Sequence, residues 1–207
     1  MKKYNIIYLI TMFVFLLTLT GCKTKEKSLE TIFNEMKILK SENDSYFIES
    51  KNTVSIDGQT FVFTKDYFVE NNLEYEIMYH KGKVNSKSYF ERTNNGTNQY
   101  EYDFDTGVWI KSNFGFDSDH GSGQVNFWDF NNYDYDVSTG VFNLKKHLCI
   151  NDLISRSITP INDQSYKVIE KYYIRSDGAV WTRIDEDTFS RFGEKFNLTL
   201  PKKFTTK

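Results

Sequence analysis

Short segments of alternating residues, separated by two-residue turns, constrain the fold of this chain more than any other feature of its sequence. Between residues 46 and 110, six segments place aromatic or aliphatic residues at every second position. Turn dipeptides separate several of these segments: Asp57-Gly58, Asn71-Asn72, Lys81-Gly82 and Asn95-Gly96. Turns of this kind join antiparallel strands, and alternation is typical of a sheet with one packed and one solvated face. The sequence therefore predicts an antiparallel meander, with Glu74 and Glu76 on its solvated face.

A second block of alternation predicts more strands near the carboxyl end. Apolar residues alternate over residues 166–174 and again over residues 180–184, on either side of the turn signal Asp177-Gly178. A last irregular strand is expected over residues 189–200. The two blocks together predict a chain that is mostly sheet.

The stretch between the two blocks is less regular. Residues 113–124 are rich in Asp, Gly and Ser and predict a loop. Residues 127–135 predict either a short helix with an aromatic face or irregular structure. A strand is expected over residues 142–150, and a helical turn over residues 151–157.

One amphipathic helix precedes the strands. Its apolar residues recur at helical spacing over residues 29–40, namely Leu29, Ile32, Phe33, Met36 and Leu39. Ser28 stands at the position of an N-cap. A helix with one apolar face needs a partner to cover it, and the sheet is the natural one. We therefore expect an α+β fold, in which an antiparallel sheet packs on an amino-terminal helix.

The amino terminus has the three zones of a secretory signal. Lys2 and Lys3 come first, an apolar stretch over residues 6–17 follows, and the small residues Thr20 and Gly21 end it. The apolar stretch is shorter than the ~20 residues that a membrane-spanning helix needs. A cleaved signal is the main interpretation, and an uncleaved membrane anchor is the alternative.

The four residues Leu19-Thr20-Gly21-Cys22 resemble the lipobox of bacterial lipoproteins. The resemblance implies that the chain is cut before Cys22 and that diacylglycerol is attached to this cysteine. Two acyl chains would hold the protein stably on a membrane, because each buried CH₂ contributes ~0.8 kcal/mol. The predicted organisation is a signal peptide at 1–21, a lipidated cysteine with a polar tether at 22–28, and one domain at 29–207. The predicted location is the extracytoplasmic face of the cell membrane.

Charge argues against a nucleic-acid partner. The chain has 26 basic and 28 acidic residues, and they are spread along its whole length. Nucleic-acid binders usually have a clustered basic face instead. We therefore predict no nucleic-acid partner, and a protein partner stays undefined.

No catalytic or metal-binding pattern stands out in the sequence. It lacks the Gly-x-Ser-x-Gly, His-Glu-x-x-His and phosphate-loop motifs. His147 and Cys149 would share one face of a strand, but zinc needs three or four ligands. Residues 117–121 alternate oxygen ligands without the closing Glu of an EF-hand, so a solvated loop is favoured. We predict that the protein is not an enzyme and has no catalytic residue, metal or cofactor, with Cys149 a small buried hydrophobe.

The order of lipobox, helix, long meander, aromatic interruption and final strands resembles the LolA/LppX-like group of envelope lipoproteins. The ending also resembles small Gram-positive members, through Tyr172-Tyr173-Ile174, Asp177-Gly178, Arg183-Ile184, Phe192-Gly193 and Leu198-Thr199-Leu200-Pro201. The resemblance implies a curved antiparallel sheet, an incomplete β-barrel, with helices on its concave side. It also implies binding of an acyl chain or hydrophobic peptide. The chain departs from the group in one respect, because the helical plug between the two strand blocks is weak.

Aromatic residues supply the best functional indication in the sequence. Seven of them are predicted to face inward and to line an apolar cavity for a lipid or other hydrophobic ligand: Phe61, Phe63, Tyr75, Tyr79, Tyr100, Tyr102 and Trp109. The other interpretation of the same residues is plain core packing under the helix. In that case the protein is a structural or interaction lipoprotein with a filled core, which contacts another envelope protein through its outer sheet face or residues 113–136.

Overall fold

The computed structural model of the protein describes residues 27–114, 127–149, 152–176 and 179–206. The chain divides into two units, residues 1–32 and residues 33–207. The described part of the first unit is the start of a helix. There the Thr31 N–H donates to the Ser28 Oγ at 3.1 Å, and the Ile32 N–H donates to the Ser28 carbonyl at 3.0 Å. The prediction that Ser28 is the N-cap is therefore confirmed.

The helix, α1, spans Leu29–Glu42. In the second unit its buried side chains are Phe33 and Met36. The ring of Phe33 lies within 6.0 Å, centroid to centroid, of four other rings: Trp128, Phe130, Tyr133 and Phe142. This aromatic cluster packs the helix on the stretch between the two strand blocks.

Twelve strands lie within the described residues, and they form one sheet. They are β1 Ser45–Ile56, β2 Gln59–Glu70, β3 Leu73–His80, β4 Lys83–Thr93, β5 Gly96–Asp103, β6 Val108–Phe114, β7 Tyr133–Asp136, β8 Val141–Leu144, β9 Leu153–Asn162, β10 Ser165–Ser176, β11 Ala179–Ser190 and β12 Phe204–Thr206. Their order is β12-β6-β5-β4-β3-β2-β1-β11-β10-β9-β8-β7. Neighbours are antiparallel, except that β12 runs parallel to β6. The sheet is curved and does not close, because β12 and β7 at its two ends do not pair.

The meander predicted for residues 46–110 is confirmed, and its turns have the expected geometry. Asp57 and Gly58 have φ values of +49° and +77°, and Lys81 and Gly82 have +50° and +74°. Two consecutive positive φ values define the type I′ turn, whose twist matches that of an antiparallel hairpin. The second block joins the first through β1 and β11, which pair from Phe47 opposite Ser190 onwards.

Register assigns side chains to the two faces of the sheet, because residues directly opposite each other point to the same side. Phe142 is opposite Ile158, which is opposite Val168, and this row continues through Asp187 to Ser50. Since Phe142 contacts the helix, the row lies on the side that α1 covers, which we call the helix face. The other side is the opposite face.

Two predictions between the blocks are wrong. Residues 153–157 belong to β9 rather than to a helical turn, because the ladder to β10 outweighs local propensity. The strand predicted over residues 142–150 ends at Leu144 and is followed by a 3-10 helix, Lys146–Leu148. In the stretch over residues 127–135, a 3-10 turn leads directly into β7. Most of the predicted loop, residues 115–124, lies outside the described residues.

Residues 191–203 connect β11 to β12 and are here called the C-terminal strap. Phe192 lies 5.9 Å from the ring of Tyr166 on the helix face. Phe196 lies 5.4 Å from the ring of Phe68 on the opposite face. The strap therefore passes from one face of the sheet to the other, rather than forming the last strand that the sequence predicts over residues 189–200.

Candidate functional site

A cavity of about 650 Å³ opens on the helix face, over β1, β2, β3 and β11. Its apolar lining comes from Ile48, Val54, Phe63, Met78 and Trp181. Its charged lining comes from Lys65, Glu74, Arg183, Asp185 and Asp187. The volume is in the range of ~300–1,000 Å³ that small-molecule sites occupy. The mixed lining distinguishes this cavity from the wholly apolar one that the sequence predicts.

Asp185 is the most deeply buried charge of the site, with 7% of its surface exposed. Its carboxylate accepts hydrogen bonds from Asn52 Nδ2 at 2.7 Å and from Arg183 Nε at 2.8 Å. The guanidinium of Arg183 also lies 4.8 Å from the centroid of the Tyr172 ring. The Asp185–Arg183 ion pair is thus held by both hydrogen bonds and a cation–π contact.

Lys65, on the β2 side of the cavity, also has a carboxylate partner. Its ammonium donates to the Tyr67 hydroxyl at 3.0 Å and to Glu76 Oε2 at 3.2 Å. Burial, together with the Glu76 carboxylate, raises the pKa of Tyr67 well above its ordinary value. The phenol therefore stays neutral, and Lys65 is already occupied by two partners.

A second polar network borders the cavity on β9 and β10. Arg156 forms an ion pair with Glu170, and the Tyr172 hydroxyl donates to Glu170 Oε2 at 2.8 Å. Arg156 also stacks 4.7 Å from the ring centroid of Phe127. These groups are part-buried and paired with one another, so they form a rigid polar wall beside the cavity.

The other two carboxylates of the cavity, Asp187 and Glu74, have weaker partners. Burial raises the pKa of Asp187, a hydrogen bond with Ser50 opposes the shift, and nearby Asp185 adds to it. Burial likewise raises the pKa of Glu74, against the effect of Arg92. The Arg92 guanidinium is 3.7 Å from Glu74 Oε2 and largely solvent-exposed, so this pair is weak.

The seven aromatic residues predicted to share one cavity do not share one face. Phe63 lines the main cavity. Phe61 and Tyr79 line a second cavity of about 530 Å³ near the start of β2 and the end of β3. The remaining four lie on the opposite face: Tyr75, Tyr100, Tyr102 and Trp109.

Three of these four residues, all but Tyr100, belong to a continuous aromatic row, which we call the aromatic ribbon. Successive ring centroids are 4.4–6.2 Å apart through Phe196, Phe68, Tyr75, Tyr89, Trp109 and Tyr102. Tyr100, beside the ribbon, is only 3% exposed and packs on Phe204 of β12. On the opposite face, aromatic packing therefore predominates over an open cavity.

The prediction that Glu74 and Glu76 lie on the solvated face away from the helix is wrong. Glu74 is opposite Val69 and Glu76 is opposite Tyr67, so both side chains point to the helix face. The polar residues of the cavity, Asp185 and Asp187 above all, were not among the candidates from the sequence. Two-residue spacing of acidic residues on β3 and β11 was the available signal, since it places the members of each pair on one face.

The predicted lipidation site and cleavage motif, Cys22 with Leu19, Thr20 and Gly21, lie outside the described residues. His147 is in the 3-10 helix and Cys149 follows it, so the two do not share a strand face. Cys149 is half-buried rather than fully buried as predicted, and partial desolvation raises the pKa of its thiol. Among the described residues, no cluster of three or more His, Cys, Asp or Glu side chains has the geometry to bind a metal.

No described helix is both long enough and apolar enough to cross a lipid bilayer. No protein-family model matches the chain, and no curated protein is significantly similar to it. Among solved structures, the chain is similar to the crystal structure of a DUF1329 family protein from Desulfovibrio piger ATCC 29098. That likeness has 11% sequence identity and a TM-score of 0.36, and it covers 82% of this chain and 93% of the other.

Proposed function

We propose that this protein is a non-catalytic lipoprotein that binds an amphipathic lipid or other hydrophobic ligand in the helix-face cavity. The observation that carries the proposal is the open cavity of about 650 Å³, lined by apolar residues and by charged residues in one continuous surface. A pocket with an apolar body and a few polar groups is the usual form of a small-molecule site.

Apolar and charged lining residues are interspersed along the strands, since Val54 is opposite Arg183 and Phe63 shares a row with Asp185. Within this mixed lining, Trp181 lies toward the β1–β2 turn, and Asp187 and Glu74 lie nearer the other end. From the Ser50 row to the Val54 row is four residues, or about 13 Å at ~3.3 Å per residue. A ligand with a polar head and an apolar tail matches this arrangement better than a wholly apolar one.

The proposal includes the finer fold assignment, an incomplete β-barrel of the LolA/LppX-like kind. Support comes from the curved, unclosed antiparallel sheet and from α1 on one of its faces. It also includes anchoring of the chain to the extracytoplasmic face of the cell membrane by a diacylglyceryl group on Cys22. The lipobox residues at 19–22 support that part of the proposal.

Anchoring is tested by the intact mass of the full chain after expression in a bacterium that processes lipoproteins. We expect a mass lacking residues 1–21 and increased by a diacylglyceryl group. Cys22→Ala should retain the signal and fractionate without added lipid. An unprocessed, unmodified wild-type mass would refute the lipoprotein assignment.

Ligand binding is tested by native mass spectrometry of the gently purified chain, before and after denaturing extraction. A co-purifying lipid mass that disappears on extraction is the expected result. Phe63→Glu should abolish it, because a charge would enter the apolar end of the cavity. Phe104→Glu is the matched control, since Phe104 is 49% exposed and lies outside the cavity lining.

A second candidate function is that of a structural or interaction lipoprotein with a filled core. The aromatic ribbon favours it, because four of the seven predicted cavity residues pack against other rings or β12 on the opposite face. A clean apo mass, with no displacement of a fluorescent fatty-acid probe, would support this candidate. Loss of a captured partner on deletion of residues 113–136, with the fold intact by circular dichroism, would then locate the contact.

A further inference from the structure

The charge balance of the helix-face cavity is uneven. Three carboxylates line it, at Glu74, Asp185 and Asp187, against two cations, at Lys65 and Arg183. A ligand that enters this cavity meets these groups in a partly desolvated space, where charge interactions are stronger than in water. The sign of the unpaired charge therefore decides which head group the cavity accepts.

Both cations already have carboxylate partners. The Lys65 ammonium is 3.2 Å from Glu76 Oε2, and the Arg183 guanidinium is 2.7 Å from Asp185 Oδ2. An anionic head group would therefore share a cation that already has a carboxylate beside it. That carboxylate would repel the head group and offset much of the attraction by the cation.

Asp187 is in the contrasting position. Within the described part of the chain its carboxylate forms no ion pair, and Ser50 supplies a hydrogen bond. Arg156 of β9 and Lys40 at the end of α1 are the cations that act on it, without forming an ion pair with it. A cation placed beside Asp187 would gain an attractive partner without breaking an existing one.

Glu74 and the Tyr67 ring also favour a cation in this cavity. Its partner Arg92 is 3.7 Å away and 74% exposed, so Glu74 is free to contact a second cation. The Tyr67 ring lines the same cavity and already has the Lys65 ammonium 5.5 Å from its centroid. Aromatic faces attract ammonium groups, including quaternary ones.

We infer that the helix-face cavity is specific for a cationic amphiphile, an amine or quaternary ammonium with an apolar tail, whose head group lies beside Asp187. This inference rests on the proposed binding function and names its ligand class. The tail would lie along Phe63 toward Val54 and Trp181.

Three probes with the same six-carbon tail test the inference: hexyltrimethylammonium, hexanesulfonate and hexanol. Each is titrated by calorimetry into the full chain in a non-ionic detergent, and binding to detergent alone is subtracted. We expect the cation to bind about tenfold more tightly than the other two, as one favourable charge contact provides. Asp187→Asn should remove most of that preference, measured as the ratio of cation to hexanol affinity in the same variant.

Asp134→Asn is the matched control, because Asp134 is an exposed aspartate of β7. Glu74→Gln is a second cavity variant and should weaken the cation preference by a smaller factor. Circular dichroism verifies that each variant folds. Equal affinity for all three probes would overturn the charge inference and keep the cavity, whereas binding of none of them would refute the proposed function as well.

Discussion

Asp187 carries a carboxylate at a position where burial disfavours the ionised form. The groups that face it come from four strands and the helix: Ser50, Asp185, Glu170, Arg156 and Lys40. Its pKa is raised in the folded protein, so folding favours the protonated form. By linkage, the contribution of the protonated Asp187 carboxyl to the free energy of unfolding is fully present below the ordinary aspartate pKa. It is lost as pH rises through the folded pKa.

We therefore expect Asp187→Asn to stabilise the protein at pH values above the folded pKa, where the wild-type carboxylate is ionised. A rise of about 2–4 °C in Tm is expected, which corresponds to about 1 kcal/mol in a chain of this size. The gain should vanish below about pH 4, where the carboxyl is protonated in both states. Thermal unfolding across pH measures it, with Asp134→Asn as the exposed control. A variant less stable than wild type at neutral pH would contradict this explanation.

Prediction from sequence was weakest at the scale of single residues. Glu74 and Glu76 were assigned to the wrong face because acidic residues on an alternating strand are normally solvated. The register of β2 and β3 determines their face, since a two-residue turn at Asn71-Asn72 places Glu74 opposite Val69. Asp185 and Asp187 could not be recognised in the same way, because only the long-range pairing of β11 with β1 brings them beside the other cavity residues.

At the scale of elements, α1 depends on one side chain. Phe33 is 0% exposed and contacts four aromatic rings of the stretch between the two strand blocks. Phe33→Ala should lower the free energy of unfolding by about 3–5 kcal/mol, the range for large aromatic truncations in a core. Ile38→Ala on the same helix, where the side chain is 46% exposed, should cost less than about 1 kcal/mol. Urea denaturation compares the two, and similar losses would show that the cluster does not anchor the helix.

The C-terminal strap depends on a glycine that packs against the end of α1. Gly193 has φ +76°, and a Cβ there would be 3.0 Å from Asn43 Oδ1. Asn43 is itself fixed, because its Nδ2 donates to the Leu39 carbonyl at 2.7 Å. Gly58 has nearly the same φ, +77°, with nothing within 4 Å of its Cβ position.

This pair of glycines separates backbone strain from steric contact. Both Gly58→Ala and Gly193→Ala should lose about 1–2 kcal/mol from the left-handed conformation. Gly193→Ala should lose roughly 1 kcal/mol more, because Asn43 must give up its hydrogen bond to the Leu39 carbonyl. Chemical denaturation of the two variants gives the difference. Equal losses would mean that Asn43 moves at no cost.

Elements were predicted well wherever periodicity and turn chemistry agreed. The helix and the strands of residues 46–110 followed from spacing alone, because each local signal matched its tertiary environment. Residues 153–157 were misassigned because their polar, unpatterned sequence gives no strand signal. Their strand forms through the ladder to β10 and the burial of Leu153 and Ile158.

At the scale of the whole molecule, the two strand blocks share one central seam. β1 pairs with β11 along residues 47–56, and both strands also pair within their own blocks. We therefore expect the second unit to unfold in one cooperative transition. Hydrogen exchange in β3–β5 and in β8–β10 should become measurable at the same urea concentration. Separate transitions for the two groups of strands would show that the seam does not couple them.

The pairing of β1 with β11 also determines how early the sheet can be completed during folding. Phe47 finds its partner Ser190 only after the intervening chain has been made, and pairings so distant in sequence form slowly. At ~5–20 residues per second, ribosomal synthesis of that interval takes on the order of ten seconds. Throughout this interval one edge of β1 has no strand beside it, so the centre of the sheet is among the last parts of the molecule to be completed.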